Sequence, residues 1–161
     1  MTDSETGLSP RFVEGDAMRL IGLTERYEAV TMSRIPEQWE HFQQRLGDVR
    51  GRTDPAQFGL FHHLGDDPLA FEYLTAVMVG DDAPVPGGFV EKRLPARRHA
   101  VFIHRGKPSG LRSLVDAIFH DWLPRSGQEA GGDPDFIEVY GEAFDSVRLE
   151  GVIEVWVPLA R

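Results

Sequence analysis

Residues 150–159 read EGVIEVWVPL, and this stretch alternates side chains with a period of two. Successive side chains on a β-strand point to opposite faces, so the pattern predicts a strand. One face would carry only aliphatic side chains, those of Ile153, Val155 and Val157. We expect that face to pack against helices. The other face carries Glu154 and Trp156, so the environment of this carboxylate becomes the central question.

The residues before this strand give the second half of the chain a strand–helix–strand–strand order. Residues 88–106 predict strand structure interrupted at Pro95. Residues 109–127 carry apolar side chains at helical spacing and therefore predict an amphipathic helix. A short strand at 135–140 precedes the closing strand.

The first half of the chain follows the same order. Residues 19–30 predict a strand interrupted at Gly22, and residues 33–49 predict a helix with one apolar stripe. Residues 57–64 and 69–79 predict two strands joined by the turn sequence GDDP. The order of elements therefore repeats at a spacing of roughly 75–80 residues, which indicates an internal duplication.

A duplicated β-α-β-β unit predicts an α+β fold, with an antiparallel, concave sheet and the helices on one side. We assign the repeats to about residues 11–82 and 88–161 of a single domain, and residues 1–10 to a flexible tail. The open face between the halves would form a central groove. Ligand sites favour such positions, so the groove is the predicted binding site.

The composition limits the classes of function. The chain has 161 residues, enough for one domain with its own core, and no cysteine, which excludes disulfides and thiolate metal sites. Acidic residues number 26 against 17 basic ones, and the resulting net charge of −9 argues against direct nucleic-acid binding. The same charge favours cationic ligands or basic partners. Neither a membrane span nor a signal peptide is predicted, so we expect a cytoplasmic protein without membrane association.

The sequence carries no motif for metal or cofactor chemistry. His62 and His63 are adjacent and would point to opposite faces of a strand, and the other histidines lack ligand spacing. No phosphate-binding loop, dinucleotide-binding glycine motif or serine-hydrolase elbow is found. We therefore predict neither a metal site nor a cofactor.

Six short motifs occur along the chain in a characteristic order. They are IPEQWEHF (35–42), FEYLTAVMV (71–79), LPARRHAVFIHRG (94–106), WLPRSG (122–127), EVY (138–140) and IEVWVPL (153–159). In this order they resemble the GyrI-like small-molecule-binding family, which includes the effector-binding domains of AraC-type and MerR-type multidrug regulators. The resemblance covers about residues 10–161. Because this leaves no room for a DNA-binding module, the sequence predicts a stand-alone member.

The resemblance implies two β-α-β-β (SHS2) repeats about a pseudo-twofold axis, and ligands that are bulky, aromatic and often cationic. It also implies that Glu154 meets the positive charge of the ligand beside the aromatic Trp156. A ring face and a carboxylate both attract a cation, and a carboxylate in a partly dry groove would have a raised pKa or await a partner. Many members have tyrosine where this chain has His99, which changes the predicted shape and donors of the pocket.

Strand and helix positions suggest further ligand contacts. The candidate ligand-binding set comprises Glu154, Trp156, Tyr73, Tyr140, Trp39, Phe102 and His99. For the aromatic residues the alternative is packing in the core or against a neighbouring strand. For Glu154 the alternative is a position facing water.

Three functions stay open on the sequence alone. The first is a protein that binds hydrophobic small molecules such as drugs or toxins, with cationic ones among the candidates. The second is a hydrolase of cyclopropanoids or other strained electrophilic genotoxins, in which Glu154 activates water and Tyr73 donates a proton. The third is a DNA gyrase modulator-like protein. Candidate protein partners are accordingly a transcription regulator or gyrase.

Overall fold

The computed structural model of the chain describes residues 8–65, 67–145 and 147–160. It has the predicted α+β fold, and the strand pairs described are antiparallel. In chain order the elements are β1 (Arg11–Gly15), β2 (Met18–Tyr27), α1 (Ile35–Arg45), β3 (Arg52–Leu64), β4 (Asp67–Val79), β5 (Val90–Leu94), β6 (Arg97–Gly106), α2 (Leu111–Ala117), α3 (Leu123–Ser126), β7 (Phe136–Tyr140), β8 (Phe144–Asp145) and β9 (Glu150–Pro158). A π-helical segment, Ile118–Trp122, joins α2 to α3.

The chain divides into two compact units. Asp16–Ala96 forms the first unit, in which the strands lie in the order β3-β4-β2-β5 and are accompanied by α1. The second unit combines the residues up to Gly15 with those from Arg97 onward. Its strands lie in the order β1-β6-β9-β7, with β8 beside β9, and it contains α2 and α3. Each unit thus contains one β-α-β-β series, in agreement with the predicted duplication.

The compact units differ from the sequence repeats at two strands. Strand β1 pairs with β6 and so belongs to the second unit, whereas β5 pairs with β2 and belongs to the first. Strand pairing brings together residues far apart in the chain, and the local sequence does not encode it. The expected tail at 1–10 falls mostly outside the described residues, but Leu8 is only 2% exposed.

Helix α1 packs on one face of the sheet in the first unit. Pro36 lies in its first turn, where the missing N–H has no intrahelical partner to lose. The buried core beneath it comprises Ile21, Phe42, Val49, Val77, Val79 and Phe89. Phe42 comes from the helix stripe, and Ile21, Val77 and Val79 come from alternating positions of β2 and β4, as amphipathic patterning requires. Val49 and Phe89 join them from the segments that flank these elements.

Gln38 ties α1 to this sheet. Its side chain is 6% exposed. Its Nε2 atom donates to the carbonyl oxygens of Leu23 and Tyr73, at 3.0 and 2.9 Å. Its Oε1 atom accepts a hydrogen bond of 2.8 Å from the Tyr27 hydroxyl. The amide is therefore buried at little cost, because its polar atoms find partners.

The predicted interruption of the first strand at Gly22 is wrong. Strand β2 continues through Gly22, which pairs in register with Ala76 of β4. A Cβ atom at Gly22 would lie 1.9 Å from the carbonyl oxygen of Thr75. The glycine thus permits a close approach of two strands and does not end either of them.

We expect the stability of the protein to fall at alkaline pH through Tyr27. Burial, with the nearby Glu25 carboxylate, raises the pKa of Tyr27 to about 12, against about 10 in an unfolded chain. The folded state therefore favours the protonated phenol, and this contribution is complete below about pH 10 and lost as the pH rises through about 12. The free energy of unfolding can be measured with urea at about pH 9 and about pH 11. Between these two pH values it should fall less for Tyr27→Phe than for the wild type. Equal losses in the two proteins would contradict this.

The core of the second unit lies on the aliphatic face of β9. Ile153, Val155 and Val157 are fully buried, so the prediction that this face is packed is confirmed. Phe102 projects to the same face from β6, and its ring centroid lies 5.0 Å from that of Trp122. Trp122 lies at the end of the π-helical segment and also contacts Phe12 of β1, at 6.3 Å. The helical side of this unit is therefore an aromatic and aliphatic core.

Candidate functional site

Glu154 and Trp156 lie on the other face of β9, where the alternation predicted them. The cross-strand partners of this pair are aliphatic: Val101 and Ile103 of β6, and Ile137 and Val139 of β7. Val101 and Ile137 are buried, whereas Ile103 is exposed. The Glu154 carboxylate therefore lies on an apolar surface of the sheet, which is exposed at Ile103.

Both oxygens of the Glu154 carboxylate have a partner within the unit. The indole Nε1 of Trp156 donates to Oε1 at 2.9 Å. Nη2 of Arg11 donates to Oε2, also at 2.9 Å. The side chains of Glu154 and Arg11 are 28% and 49% exposed. An ion pair this exposed contributes about 0–1 kcal/mol, because water and salt compete for both charges.

Strand β1 brings Arg11 to this face. Arg11 pairs in register with Val101, so its side chain projects to the same face as Glu154 and Trp156. The sequence prediction that Glu154 would await a partner did not identify Arg11. No local signal could have identified it, because Arg11 and Glu154 lie 143 positions apart in the chain.

His99 lies beneath Trp156 and is not at the surface. Its side chain is 2% exposed, and its ring centroid lies 5.2 Å from that of Trp156, edge to face. Burial lowers the pKa of His99 below its ordinary value, so the ring is neutral near pH 7. Its Nδ1 atom has no hydrogen-bond partner among the described residues. His99 thus supports the indole that holds Glu154.

Phe102 and Tyr140 lie on the opposite face of this sheet from Glu154. Phe102 is buried against Trp122. The Tyr140 hydroxyl donates to Oε1 of Glu138 at 3.0 Å. Glu138 pairs in register with Val155, on the helical side of the sheet. These two predicted contacts are therefore separated from Glu154 by the sheet itself.

Tyr73 and Trp39 lie together in the first unit. Nε1 of Trp39 donates to the Tyr73 hydroxyl at 3.2 Å, and the two rings meet edge to face at 6.2 Å. Tyr73 is buried in a cluster with Tyr27 and Phe71, beneath α1. The structure therefore brings this predicted pair together as part of the helix–sheet core.

A cavity of about 200 Å³ opens beside Arg11. Its lining comprises Ser9, Arg11, Val101, Phe102, Ile103 and Leu114.

Within the described part of the chain, no group of three or more acidic or histidine side chains could hold a metal ion. No helix there is long and apolar enough to cross a membrane. The chemistry available at this site is therefore that of one carboxylate, one indole, one guanidinium and an apolar surface.

Solved structures of other proteins share this fold. SAV2435, in a structure bound to tetraphenylphosphonium, superimposes with a TM-score of 0.75 at 19% identity, covering 95% of this chain and 94% of that one. EcmrR in a complex with DNA gives a TM-score of 0.73 at 17% identity, covering 99% of this chain and 61% of that one. At these identities the similarity establishes the fold.

Sequence comparison identifies the family. The transcriptional regulator BrlR of Pseudomonas aeruginosa is 30% identical over 151 residues, which cover 92% of this chain. The chain spans about half of that regulator, 54% of its length. The family model for the GyrI-like small molecule binding domain matches residues 8–160. The resemblance inferred from the six motifs is thereby confirmed, and the chain belongs to the GyrI-like small molecule binding domain family.

Proposed function

We propose that this protein binds hydrophobic, cationic small molecules, with Glu154 as the counter-charge. The observation that carries the proposal is the state of this carboxylate. The indole of Trp156 holds it in place at 2.9 Å, yet the side chain stays 28% exposed above an aliphatic surface. A fixed, accessible charge beside apolar groups suits a ligand that is itself both charged and apolar.

Three physical contributions would act on such a ligand. The carboxylate attracts the positive charge, and the neighbouring Trp156 ring adds cation–π attraction when the cation lies over its face. Of the aliphatic side chains around the pair, Ile103 is exposed and Val139 half-buried, and these two supply accessible apolar surface. Burying such surface contributes about 25 cal/mol per Å². The tetraphenylphosphonium bound to SAV2435 has this combination of charge and aromatic surface, which supports the proposal.

We propose further that ligand binding serves a regulatory purpose. BrlR is a transcriptional regulator, and EcmrR binds DNA. By analogy this chain would be the ligand-sensing part of a regulatory system, with a transcription regulator as its candidate partner. An excess of acidic residues, with a net charge of −9, argues against this domain contacting DNA directly.

Glu154→Gln is expected to weaken binding of tetraphenylphosphonium about tenfold or more, which corresponds to about 1.4 kcal/mol or more. The substitution removes the charge and preserves the shape of the side chain and its capacity to accept from Trp156. Isothermal titration calorimetry of wild type and variant would measure the difference.

Glu138→Gln is the matched control for this titration. It makes the same chemical change on the adjacent strand of the same sheet, on the face opposite Glu154. We expect it to bind within about twofold of the wild type. Equal affinities of wild type and Glu154→Gln would contradict the charge role, and an equal loss in both variants would indicate a nonspecific effect of charge.

The hydrolase alternative receives less support from the contacts around Glu154. That reaction needs a tyrosine or another acid beside the carboxylate, but the contacts described for Glu154 are with Arg11 and Trp156. Tyr140 of the same unit lies on the other face of the sheet. We therefore rank binding above hydrolysis. Turnover of a cyclopropanoid substrate that Glu154→Gln abolishes would reverse this order.

A further inference from the structure

We infer that Arg11 is an internal competitor for Glu154, which a cationic ligand must displace before its own charge can reach the carboxylate. The inference rests on the proposed function and adds to it a second residue that determines which ligands bind. It gives the ion pair between Arg11 and Glu154 a role in ligand selection.

The two oxygens of Glu154 are held in different ways. Oε1 accepts from the indole of Trp156, two residues away on the same strand, so this contact is fixed by the local backbone. Oε2 accepts from Arg11, whose strand β1 is an edge of the sheet in this unit. The guanidinium is therefore the partner that can leave without any rearrangement of β9.

Arg11 has room to leave. Its side chain is 49% exposed, and the 200 Å³ cavity beside it is lined partly by Ser9. Arginine stays protonated at all ordinary pH values, so the released group must remain hydrated or find another acceptor. Solvent at this half-exposed position meets that need, which keeps the cost of the exchange small.

The exchange would set the selectivity of the site. A small cation offers Glu154 no more than Arg11 already does, so it gains little by replacing the guanidinium. A cation with a large apolar surface gains in addition from contact with Trp156 and the aliphatic residues around it. The Arg11–Glu154 pair would therefore discriminate against inorganic cations and simple amines, in favour of lipophilic cations.

The test is a double-mutant cycle on the full chain, with tetraphenylphosphonium as the probe. Arg11→Met should tighten binding about fivefold, because the carboxylate is then unpaired before the ligand arrives. In the Glu154→Gln background, Arg11→Met should alter the affinity by less than about twofold, because the negative charge for which Arg11 and the ligand compete has been removed. Neutral triphenylphosphine oxide should bind wild type and Arg11→Met equally.

Arg98→Met is the matched control. Arg98 lies on β6 with a side chain 51% exposed, and it pairs with Glu14 on the opposite face of the sheet from Glu154. The Arg98→Met substitution removes the same positive charge as Arg11→Met, from a side chain of similar exposure, and leaves the contacts of Glu154 unchanged. We expect an effect of less than about twofold on tetraphenylphosphonium binding.

The outcomes separate the inference from the proposed function. Tighter tetraphenylphosphonium binding by Arg11→Met supports the inference if this gain in affinity disappears in the double variant. Unchanged or weaker binding by Arg11→Met, while Glu154→Gln still loses affinity, would overturn the inference alone. A gain that persists in the double variant would identify long-range repulsion and also overturn it. Absence of saturable binding in every variant would overturn both.

Discussion

Gly22→Ala is expected to lower the free energy of unfolding by about 3 kcal/mol, through backbone crowding between β2 and β4. The added methyl group would lie 1.9 Å from the Thr75 carbonyl oxygen and 2.7 Å from its carbonyl carbon. Neither atom belongs to a flexible side chain, so the strands themselves must separate. Urea unfolding of wild type and variant followed by circular dichroism would measure the loss.

Gly47→Ala is the control for this substitution. Gly47 lies after α1, and nothing lies within 4 Å of a Cβ atom built there. The same chemical change should therefore alter the stability by less than about 0.5 kcal/mol. A loss at Gly22 no larger than that at Gly47 would show that β2 and β4 can separate freely.

Gln38→Leu is expected to cost a similar amount, about 3 kcal/mol, although leucine is apolar and of similar size. The substitution leaves the Tyr27 hydroxyl without its acceptor and the carbonyl oxygens of Leu23 and Tyr73 without the Gln38 donor. The contacts with Tyr27 and Tyr73 are buried and that with Leu23 is partly buried, so water does not fully replace the lost hydrogen bonds. Thermal and urea unfolding would both show the change.

Gln43→Leu makes the same substitution on the same helix at an exposed position. The exposed Gln43 side chain contacts the half-buried side chain of Gln57. We expect a change within about 0.5 kcal/mol there. If Gln38→Leu were as mild as Gln43→Leu, the hydrogen bonds of Gln38 would be no more than incidental to the attachment of α1.

Gly22 and Gln38 both lie in the first unit, which does not contain Glu154. Substitutions there therefore separate effects on stability from effects on ligand binding. Destabilising the first unit should reduce the fraction of folded protein while the Arg11–Glu154–Trp156 contacts of the second unit keep their geometry. Ligand titrations corrected for the folded fraction would then give unchanged affinity. Substitutions at Arg11 or Glu154 should instead change the ligand affinity and leave the folded fraction nearly unchanged, because both side chains are partly exposed and contribute little to stability.

Several features of the fold followed from periodicity. The apolar stripes of the two helical regions and the alternation in β9 identified the elements and their buried faces, because burial imposes a period of 3.6 on helices and of 2 on strands. The orientation of Glu154 relative to Val155 followed directly. Gln38 was missed, because a glutamine in a helix is normally exposed and only its hydrogen-bond partners in space explain its burial.

The β-α-β-β order, the family and the position of Glu154 beside Trp156 on one face of the last strand could all be inferred from the residues alone. The pairing of β1 with β6, which sets Arg11 against Glu154, became visible only in the folded chain. This is because backbone groups of any two strands can form the same ladder. The partner of a strand is chosen by packing over the whole chain, so a contact across three strands leaves no trace in the residues around it.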